Sequence, residues 1–300
     1  MSTTLKGHLQ ALITIAIWSS TFIVSKILLG HMTPLQILLA RYLIAIICLS
    51  VMYPRFSKPV SLRQEALFLA IGAALAYYFV FENSALQRTY SSNVSLIVAT
   101  IPFLTGILSM LIYKTRFFNL KSTAGLITAY LGVFLIILNG SRFEGVEPVG
   151  DLLALGAAVM FAIYSVLMQK AGHAASMIQM TRKVFLYGLL VLAVTVLLDG
   201  QPVIPAGLGA QSLVSLLYLG IVASSLAFIL WNRAIRAIGP VKTNQYIYLI
   251  PVMTTIVSSL ILDERITVMT VLGTVLILSG LYVSEKSRTA AAEPEQHEVM

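Results

Sequence analysis

Residues 91–112 read SSNVSLIVATIPFLTGILSMLI and residues 241–262 read VKTNQYIYLIPVMTTIVSSLIL. Each stretch has the length that an α-helix needs to cross a bilayer, roughly 20 apolar residues. Each also carries a proline near its centre, Pro102 in the first and Pro251 in the second. Because proline has no N–H, it leaves the carbonyl four residues earlier without a helical partner, which a membrane tolerates only beside protein or water. These two stretches predict a pair of interrupted membrane helices.

The whole chain has the composition of a membrane protein built from such helices. Of its 300 residues, 58% are hydrophobic and 11% are charged, whereas a soluble domain carries about 25% charged residues. The predicted fold class is therefore an all-α integral membrane protein with ten transmembrane helices. Apolar runs bounded by charged residues or by Pro and Gly predict these spans at residues 8–29, 34–52, 65–83, 91–112, 120–139, 150–169, 177–198, 211–232, 241–262 and 266–284.

The two halves of the chain repeat each other. A shift of about 149 residues preserves the order of scarce residue types, with Asn83 over Asn232, Pro102 over Pro251 and Gly132 over Gly280. Five helices per repeat is an odd number, so the second repeat must be inverted in the membrane, as in many secondary transporters. We predict a first five-helix repeat over residues 1–145, an inverted second repeat over residues 146–286, and a disordered cytoplasmic tail over residues 287–300, which lack apolar surface.

The distribution of Lys and Arg predicts the orientation. With a cytoplasmic N-terminus, fifteen of the 20 basic residues fall in cytoplasmic segments and three fall outside, which is the asymmetry of a multi-pass protein of the cytoplasmic (inner) membrane. Both termini are then cytoplasmic. The net charge of +8 does not indicate a nucleic-acid partner, because the basic residues are scattered over short loops and do not cluster on one face.

The sequence lacks the patterns that covalent chemistry or a cofactor would need. It contains no G-x-x-x-x-G-K-[ST] phosphate loop and no H-E-x-x-H motif. The four histidines are far apart in sequence, and the single cysteine, Cys48, lies inside an apolar run. We therefore expect no enzymatic activity, no cofactor and no metal site.

The interrupted helices predict where a substrate would bind. In inverted-repeat transporters the site lies near the midplane, at interruptions in corresponding positions. Aromatic side chains would form apolar walls, and Asn244, Ser95 and the freed carbonyls would bind polar groups. The candidate substrate-binding residues are Trp18, Lys26, Tyr78, Glu82, Ser95, Pro102, Tyr164, Asn244, Tyr248 and Pro251.

Charged residues inside the spans are the sharpest single signal. A Lys or Arg at the centre of a membrane helix costs about 2.5–3.5 kcal/mol, so it needs a reason to be there. Lys26 lies about one turn from a helix end, where it either reaches the headgroups or meets a substrate carboxylate. Arg41 lies deeper and is predicted to be a structural intramembrane charge with an internal carbonyl or ion-pair partner. Glu82 is the carboxylate that a central cavity could reach, although a solvated helix end is the alternative.

Several motifs resemble the EamA-type members of the drug/metabolite transporter superfamily. In the first half these are Ile17-Trp18-Ser19-Ser20-Thr21-Phe22, Lys26, Pro34 and Ala40-Arg41-Tyr42-Leu43-Ile44-Ala45; in the second half they are Asn232-Arg233-Ala234-Ile235, Pro251 and Leu262-Asp263-Glu264-Arg265. The resemblance implies ten helices in two inverted repeats of five. It also implies a central cavity between the first, third, fourth, sixth, eighth and ninth spans. The sequence departs from the pattern at Lys114-Thr115-Arg116, where many relatives keep a Glu.

The resemblance implies transport of small metabolites, often amino acids or drugs, out of the cell. We predict a secondary-active or facilitative exporter that works by alternating access, with a small-molecule metabolite and the lipid bilayer as its partners. An importer or exchanger of small organic anions and a non-transporting scaffold or receptor are the alternatives. Glycine pairs such as Gly125 and Gly132 could pack helices within one chain or between two copies, which leaves a homodimer open.

Overall fold

The computed structural model describes residues 2–55, 59, 61–113, 120–140, 147–171, 176–200, 208–238, 243 and 245–292. Over these residues the chain forms helices and no strand, so the all-α prediction is confirmed. The α-helices are α1 Thr3–Leu29, α2 Pro34–Met52, α3 Leu62–Arg88, α4 Ser91–Val98, α5 Ile101–Tyr113, α6 Leu120–Gly140, α7 Pro148–Lys170, α8 Met177–Asp199, α9 Ala210–Leu217, α10 Ala227–Ile238, α11 Ile250–Ile261 and α12 Val268–Ala292. A π-helical segment, Tyr218–Leu226, joins α9 to α10, and a 3-10 segment, Gln245–Leu249, precedes α11.

Most of these helices are long and apolar enough to cross a membrane. Seven continuous helical stretches meet that description, and three shorter apolar helices accompany them in the described part of the chain. The shorter ones are Thr123–Gly132, Tyr246–Ile261 and Val268–Gly280. Each of these stretches overlaps an apolar run of the sequence. The chain is a multi-pass membrane protein.

The two spans that contain the matched prolines are both divided. The first consists of α4 and α5, which are separated by Ala99 and Thr100. The second changes from 3-10 to α geometry between Leu249 and Ile250. In each span the proline is the second residue of the later α-helix, a first-turn position where its missing N–H costs no helical hydrogen bond. Pro102 and Pro251 therefore occupy the same place relative to their interruptions.

The stretch from Ala210 to Ile238 contains a feature that the hydropathy pattern does not indicate. A plain span over residues 211–232 was predicted, but nine residues, Tyr218–Leu226, are π-helical and the helix continues to Ile238. A π segment has i→i+5 hydrogen bonds and often lies at a functional site. Here it brings the Ala223 carbonyl and the Ser224 hydroxyl against residues of α1 and α2.

Glycine allows the closest helix pair to form. α6 packs against α12, and a side chain added at Gly132 would meet the carbonyl oxygen of Gly273 at 2.6 Å. Gly280 lies in the same way against the backbone of Gly125 and Ala129. Small residues let membrane helices approach to backbone contact. The glycine pairs that left a homodimer open are thus used inside a single chain.

The C-terminal end of α12 corrects one prediction. The sequence predicted that the last span ends at residue 284, but α12 runs to Ala292; the disordered tail over residues 287–300 stays a prediction. The added turns include Ala290, Ala291 and Ala292, and alanine has the highest intrinsic helix propensity. The apolar run therefore ends before the helix does, because composition reports apolar surface and does not report backbone preference. The rest of the predicted tail, residues 293–300, lies outside the described residues.

Candidate functional site

A small cavity lies between the two interrupted spans. Residues on both sides of each interruption line it, Val98 and Ile101 at the first and Ile247 and Ile250 at the second. Its volume is about 20 Å³, which is room for about one water molecule. We call it the central cavity; its lining residues are Trp18, Thr21, Phe22, Arg41, Tyr78, Phe79, Glu82, Val98, Ile101, Phe161, Phe228, Ile247 and Ile250.

Aromatic rings form much of the cavity wall. The centroid of the Trp18 ring lies 5.1 Å from that of Phe228 and 6.2 Å from that of Phe161. Tyr78 packs on the other side of Phe161, with ring centroids 4.9 Å apart. The indole N–H of Trp18 donates to the carbonyl of Ala223 at 3.2 Å, which satisfies the buried polar group of this ring. The π-helical segment therefore fixes the orientation of the largest ring in the wall.

Two charged side chains face the same cavity. Arg41, which is 1% exposed, donates from Nε to the Ser224 hydroxyl at 2.6 Å and places its guanidinium 4.0 Å from the centre of the Phe79 ring. Such cation–π contacts stabilise a buried guanidinium. Glu82, which is 4% exposed, accepts a hydrogen bond from the Tyr78 hydroxyl at 2.5 Å. Among the described residues these two side chains are not in ion-pair contact with each other.

The structure brings only part of the predicted site together. Trp18, Tyr78 and Glu82 line the central cavity, and so does Arg41, which was predicted to be a structural charge. Arg41 meets a hydroxyl and an aromatic face and has neither a carbonyl nor a carboxylate among its described hydrogen-bond partners. The described cavity wall therefore carries one positive side chain, Arg41, and one negative side chain, Glu82.

The other predicted site residues lie around the cavity or away from it. Tyr164 is buried behind Phe161, with ring centroids 5.2 Å apart. The hydroxyl of Ser95 is buried and donates to the carbonyl of Ser92 within its own helix. Four more predicted residues have different positions: Pro102 and Pro251 each follow a lining residue directly, Tyr248 is half-buried next to the lining residue Ile247, and Asn244 lies outside the described residues.

A buried carboxylate joins several helices at one end of the bundle. Glu264, in the turn between α11 and α12, accepts the backbone N–H groups of Ser91 at 2.7 Å and Ser92 at 3.1 Å, and the Ser92 hydroxyl at 2.9 Å. These N–H groups belong to the first turn of α4, where a negative charge is stabilised by the helix dipole. Lys26 lies 3.6 Å from Glu264 and donates to the Thr89 carbonyl at 2.5 Å. We call this set of contacts the Glu264 lock and this end of the bundle the Glu264 end.

Further polar contacts surround the Glu264 lock. Asp151 of α7 accepts a hydrogen bond from the Thr89 hydroxyl at 2.8 Å and a longer one from the Asn93 amide at 3.4 Å. At the surface, Arg88 pairs with Glu147 at 2.7 Å. α1, α4, α7 and the α11–α12 turn are thus joined at one end of the molecule.

The opposite end, which we call the Lys6 end, contains an open cleft. Its volume is about 450 Å³. Its lining residues are Thr3, Lys6, Gln10, Ser176, Met177, Ile178, Arg233, Arg236 and Ala237. The two ends of the bundle therefore differ, with a polar lock at the Glu264 end and a water-accessible, basic cleft at the Lys6 end.

Sequence reasoning missed the structural role of Glu264. The loop that contains it was recognised only because its charges contrast with those of the equivalent Lys114-Thr115-Arg116 loop. The partners of Glu264 are 172 and 173 residues away along the chain. The rings of Phe79 and Phe228 were also missed, because single phenylalanines in apolar helices give no positional signal.

A multi-pass α-helical protein with two divided spans, and with buried charges facing a cavity between them, has the architecture of a membrane transporter. Comparison with known proteins defines the family. The chain matches the model of the EamA-like transporter family over residues 5–138 and 148–285. It belongs to that family.

Relatives and a solved structure match the chain along most of its length. An "Uncharacterized transporter" of Archaeoglobus fulgidus is 27% identical, and the match covers 93% of this chain and 97% of the relative. Proteins named "Probable amino-acid metabolite efflux pump" are 26% identical in Salmonella typhimurium and 25% identical in Escherichia coli, each match covering 93% of this chain and 94% of the relative. A crystal structure with 20% identity superposes with a TM-score of 0.65 over 94% of this chain and 98% of its own, which is a likeness of fold.

Proposed function

We propose that this transporter exports small amphipathic metabolites of the amino-acid type across the cytoplasmic membrane. The central observation is the position of the cavity: it lies between two equivalent interruptions and combines aromatic walls with Arg41 and Glu82. Aromatic faces bind apolar groups and buried charges bind polar ones, so the lining suits a small molecule that has both. The name of the two efflux-pump relatives agrees with such a cargo.

Helix packing supports an inverted five-plus-five repeat. In the proposed repeat, α1, α2 and α3 correspond to α7, α8 and the stretch that includes α10, while α4–α5 correspond to α11 and α6 to α12. Under this correspondence the α3–α7 contact is equivalent to the α10–α1 contact, and the α5–α7 contact is equivalent to the α11–α1 contact. All four contacts are present. The pairs α6–α12, α2–α8 and α4–α11 map onto themselves. A pseudo-two-fold axis in the membrane plane would produce this pattern.

The difference between the two ends supports alternating access. The Glu264 lock closes one end, and the cleft opens at the other. The central cavity holds about one water molecule in this conformation, so it must widen before a metabolite can bind. The interruptions flank the cavity and are the natural hinges for that movement. In the predicted orientation the Glu264 end faces outwards, and this conformation precedes loading from the cytoplasm.

The lining favours this cargo over organic anions. Exchange of small anions would require a surplus of cations in the cavity, but the described lining carries one cation, Arg41, and one carboxylate, Glu82. The other intramembrane cation, Lys26, contacts Glu264 and Thr89 in the Glu264 lock and does not line the cavity. A net-neutral cargo fits such a balanced site better.

Transport by purified protein in proteoliposomes tests the proposal. We expect efflux or exchange of at least one member of a panel of amino acids and related metabolites. Replacing Trp18 by Ala should raise KM about tenfold, since losing the ring removes about 1.4 kcal/mol or more of apolar contact. Tyr77→Ala is the matched control, because Tyr77 is on α3 but is 38% exposed and does not line the cavity. The proposal fails if folded protein moves no metabolite, or if both variants change KM equally.

A further inference from the structure

Arg41 and Glu82 place opposite charges on the wall of one apolar cavity, without ion-pair contact between them. We propose that the central cavity selects zwitterionic α-amino acids with apolar side chains, with Arg41 binding the carboxylate and Glu82 binding the ammonium group. This proposal rests on the proposed transport function and specifies its substrate class. The argument depends on the unused hydrogen-bonding capacity of the two side chains and on their charge balance.

Arg41 has a donor available for a ligand. Its Nε is used by Ser224, but Nη1 is buried and has no hydrogen-bond partner among the described residues. A buried donor without a hydrogen-bond partner is unfavourable, and more so when it is charged. A guanidinium presents a planar fork of N–H groups that matches the two oxygens of a carboxylate. A carboxylate in the cavity would therefore satisfy a donor that the protein itself leaves unpaired.

The carboxylate of Glu82 can accept further hydrogen bonds. A carboxylate offers about four lone-pair sites over two oxygens. The Tyr78 hydroxyl occupies one of them, at Oε1, and also fixes the orientation of the side chain. Both residues are on α3, one helical turn apart, so this hydrogen bond is held by the helix itself. An ammonium group beside Glu82 would find a pre-oriented acceptor.

Charge balance explains why one ligand should use both groups. An unpaired charge is strongly unfavourable in a site of low dielectric constant. A net anion would pair with Arg41 but repel Glu82, and a net cation would do the reverse. A zwitterion meets both groups and adds no net charge. The surrounding rings of Trp18, Phe161 and Phe228 would take an apolar side chain.

Three probes that share the leucine side chain and differ in their charged groups test this inference. L-leucine carries both groups, leucinamide lacks the carboxylate, and N-acetyl-L-leucine lacks the ammonium group. In proteoliposome counterflow, and in thermal stabilisation of the detergent-solubilised protein, leucine should be preferred at least tenfold over both analogues. Removing one partner of a buried charge pair commonly costs 2 kcal/mol or more, which is about thirtyfold in affinity.

Reciprocal variants separate binding from a structural role. Glu82→Gln should shift the preference at least tenfold towards N-acetyl-L-leucine, and Arg41→Gln should shift it at least tenfold towards leucinamide. The matched control for Glu82 is Glu65→Gln; Glu65 is also on α3, and its carboxylate pairs with Lys183 of α8. The matched control for Arg41 is Arg182→Gln, whose guanidinium donates to the carbonyls of Tyr53 and Arg55. Neither control residue lines the cavity, so neither control variant should change the order of the probes.

The outcomes distinguish this inference from the proposed function. If the wild-type protein moves other metabolites but treats the three probes alike, the zwitterion site is wrong and the export function stands. If it moves nothing, both are wrong. If Arg41→Gln does not fold, Ser224→Ala gives the second test: it removes the Nε partner and should weaken leucine binding about fivefold with the probe order kept. Unchanged leucine binding in that variant would overturn the role of Arg41.

Discussion

Glu264→Ala should open the Glu264 end of the transporter to water. The substitution removes a charged acceptor that joins the α11–α12 turn to three donors in the first turn of α4, and it leaves Lys26 without its carboxylate. Hydrogen bonds to charged groups contribute about 1.5–3 kcal/mol. If the closed state becomes less stable than before by about 2 kcal/mol relative to the open state, the population of the open state rises about thirtyfold.

Cysteine labelling measures this change. In a protein with Cys48 replaced by alanine, a single cysteine at Thr21 reports on the cavity wall. Its reaction with an impermeant maleimide from the Glu264 side should become about thirtyfold faster in Glu264→Ala. The matched control is Glu147→Ala, which breaks an exposed ion pair at the same end; exposed pairs contribute about 0–1 kcal/mol, so the rate should change only slightly. Equal rates in the two variants would show that Glu264 does not hold this end closed.

Gly132→Ala should strongly destabilise the packing of α6 against α12. The new Cβ would lie 2.6 Å from the Gly273 carbonyl oxygen and 2.9 Å from the Ile277 backbone nitrogen. Backbone atoms cannot rotate away, so the two helices must separate. Overpacking of this kind costs about 1–3 kcal/mol, and we expect the upper end of that range. Thermal unfolding of the purified protein in detergent would report the loss as a lower Tm.

The same substitution elsewhere provides the control. A Cβ added at Gly156, within α7, would meet only the ring of Phe81 at 3.4 Å, an ordinary van der Waals distance. Alanine is the better helix former by about 0.8–1.0 kcal/mol, so Gly156→Ala should leave Tm unchanged or raise it. If Gly132→Ala matched Gly156→Ala in Tm, the α6–α12 contact would be looser than described.

The sequence predicted the helices and the interruptions because these depend on local rules. Apolar length defines a span, and a proline in the middle of an apolar run interrupts the helix or begins a new one. Pro102 and Pro251 could therefore be paired by register alone, and the structure places both at the start of an α-helix. The end of α12 was predicted incorrectly because composition outweighed the helix propensity of its alanines.

The contacts of the site could not be predicted in the same way. Arg41 was recognised as a deep charge, but its partner Ser224 lies 183 residues away on a π-helical segment that hydropathy does not reveal. Lys26 was expected to reach either the headgroups or a substrate carboxylate, and in the structure it contacts the carboxylate of Glu264. A single sequence indicates that a buried charge needs a partner. Only the packing of the helices shows which partner it has.

The most direct test of alternating access is the accessibility of the cavity from each side of the membrane. Single cysteines at Ile101 and Ile250, which line the cavity beside the two interruptions, would be placed in the Cys48→Ala protein. In oriented proteoliposomes, an impermeant maleimide should label both positions from either side, and a saturating transported metabolite should slow both reactions. Labelling from one side only, or from neither, would contradict a cavity that opens alternately to the two faces of the membrane.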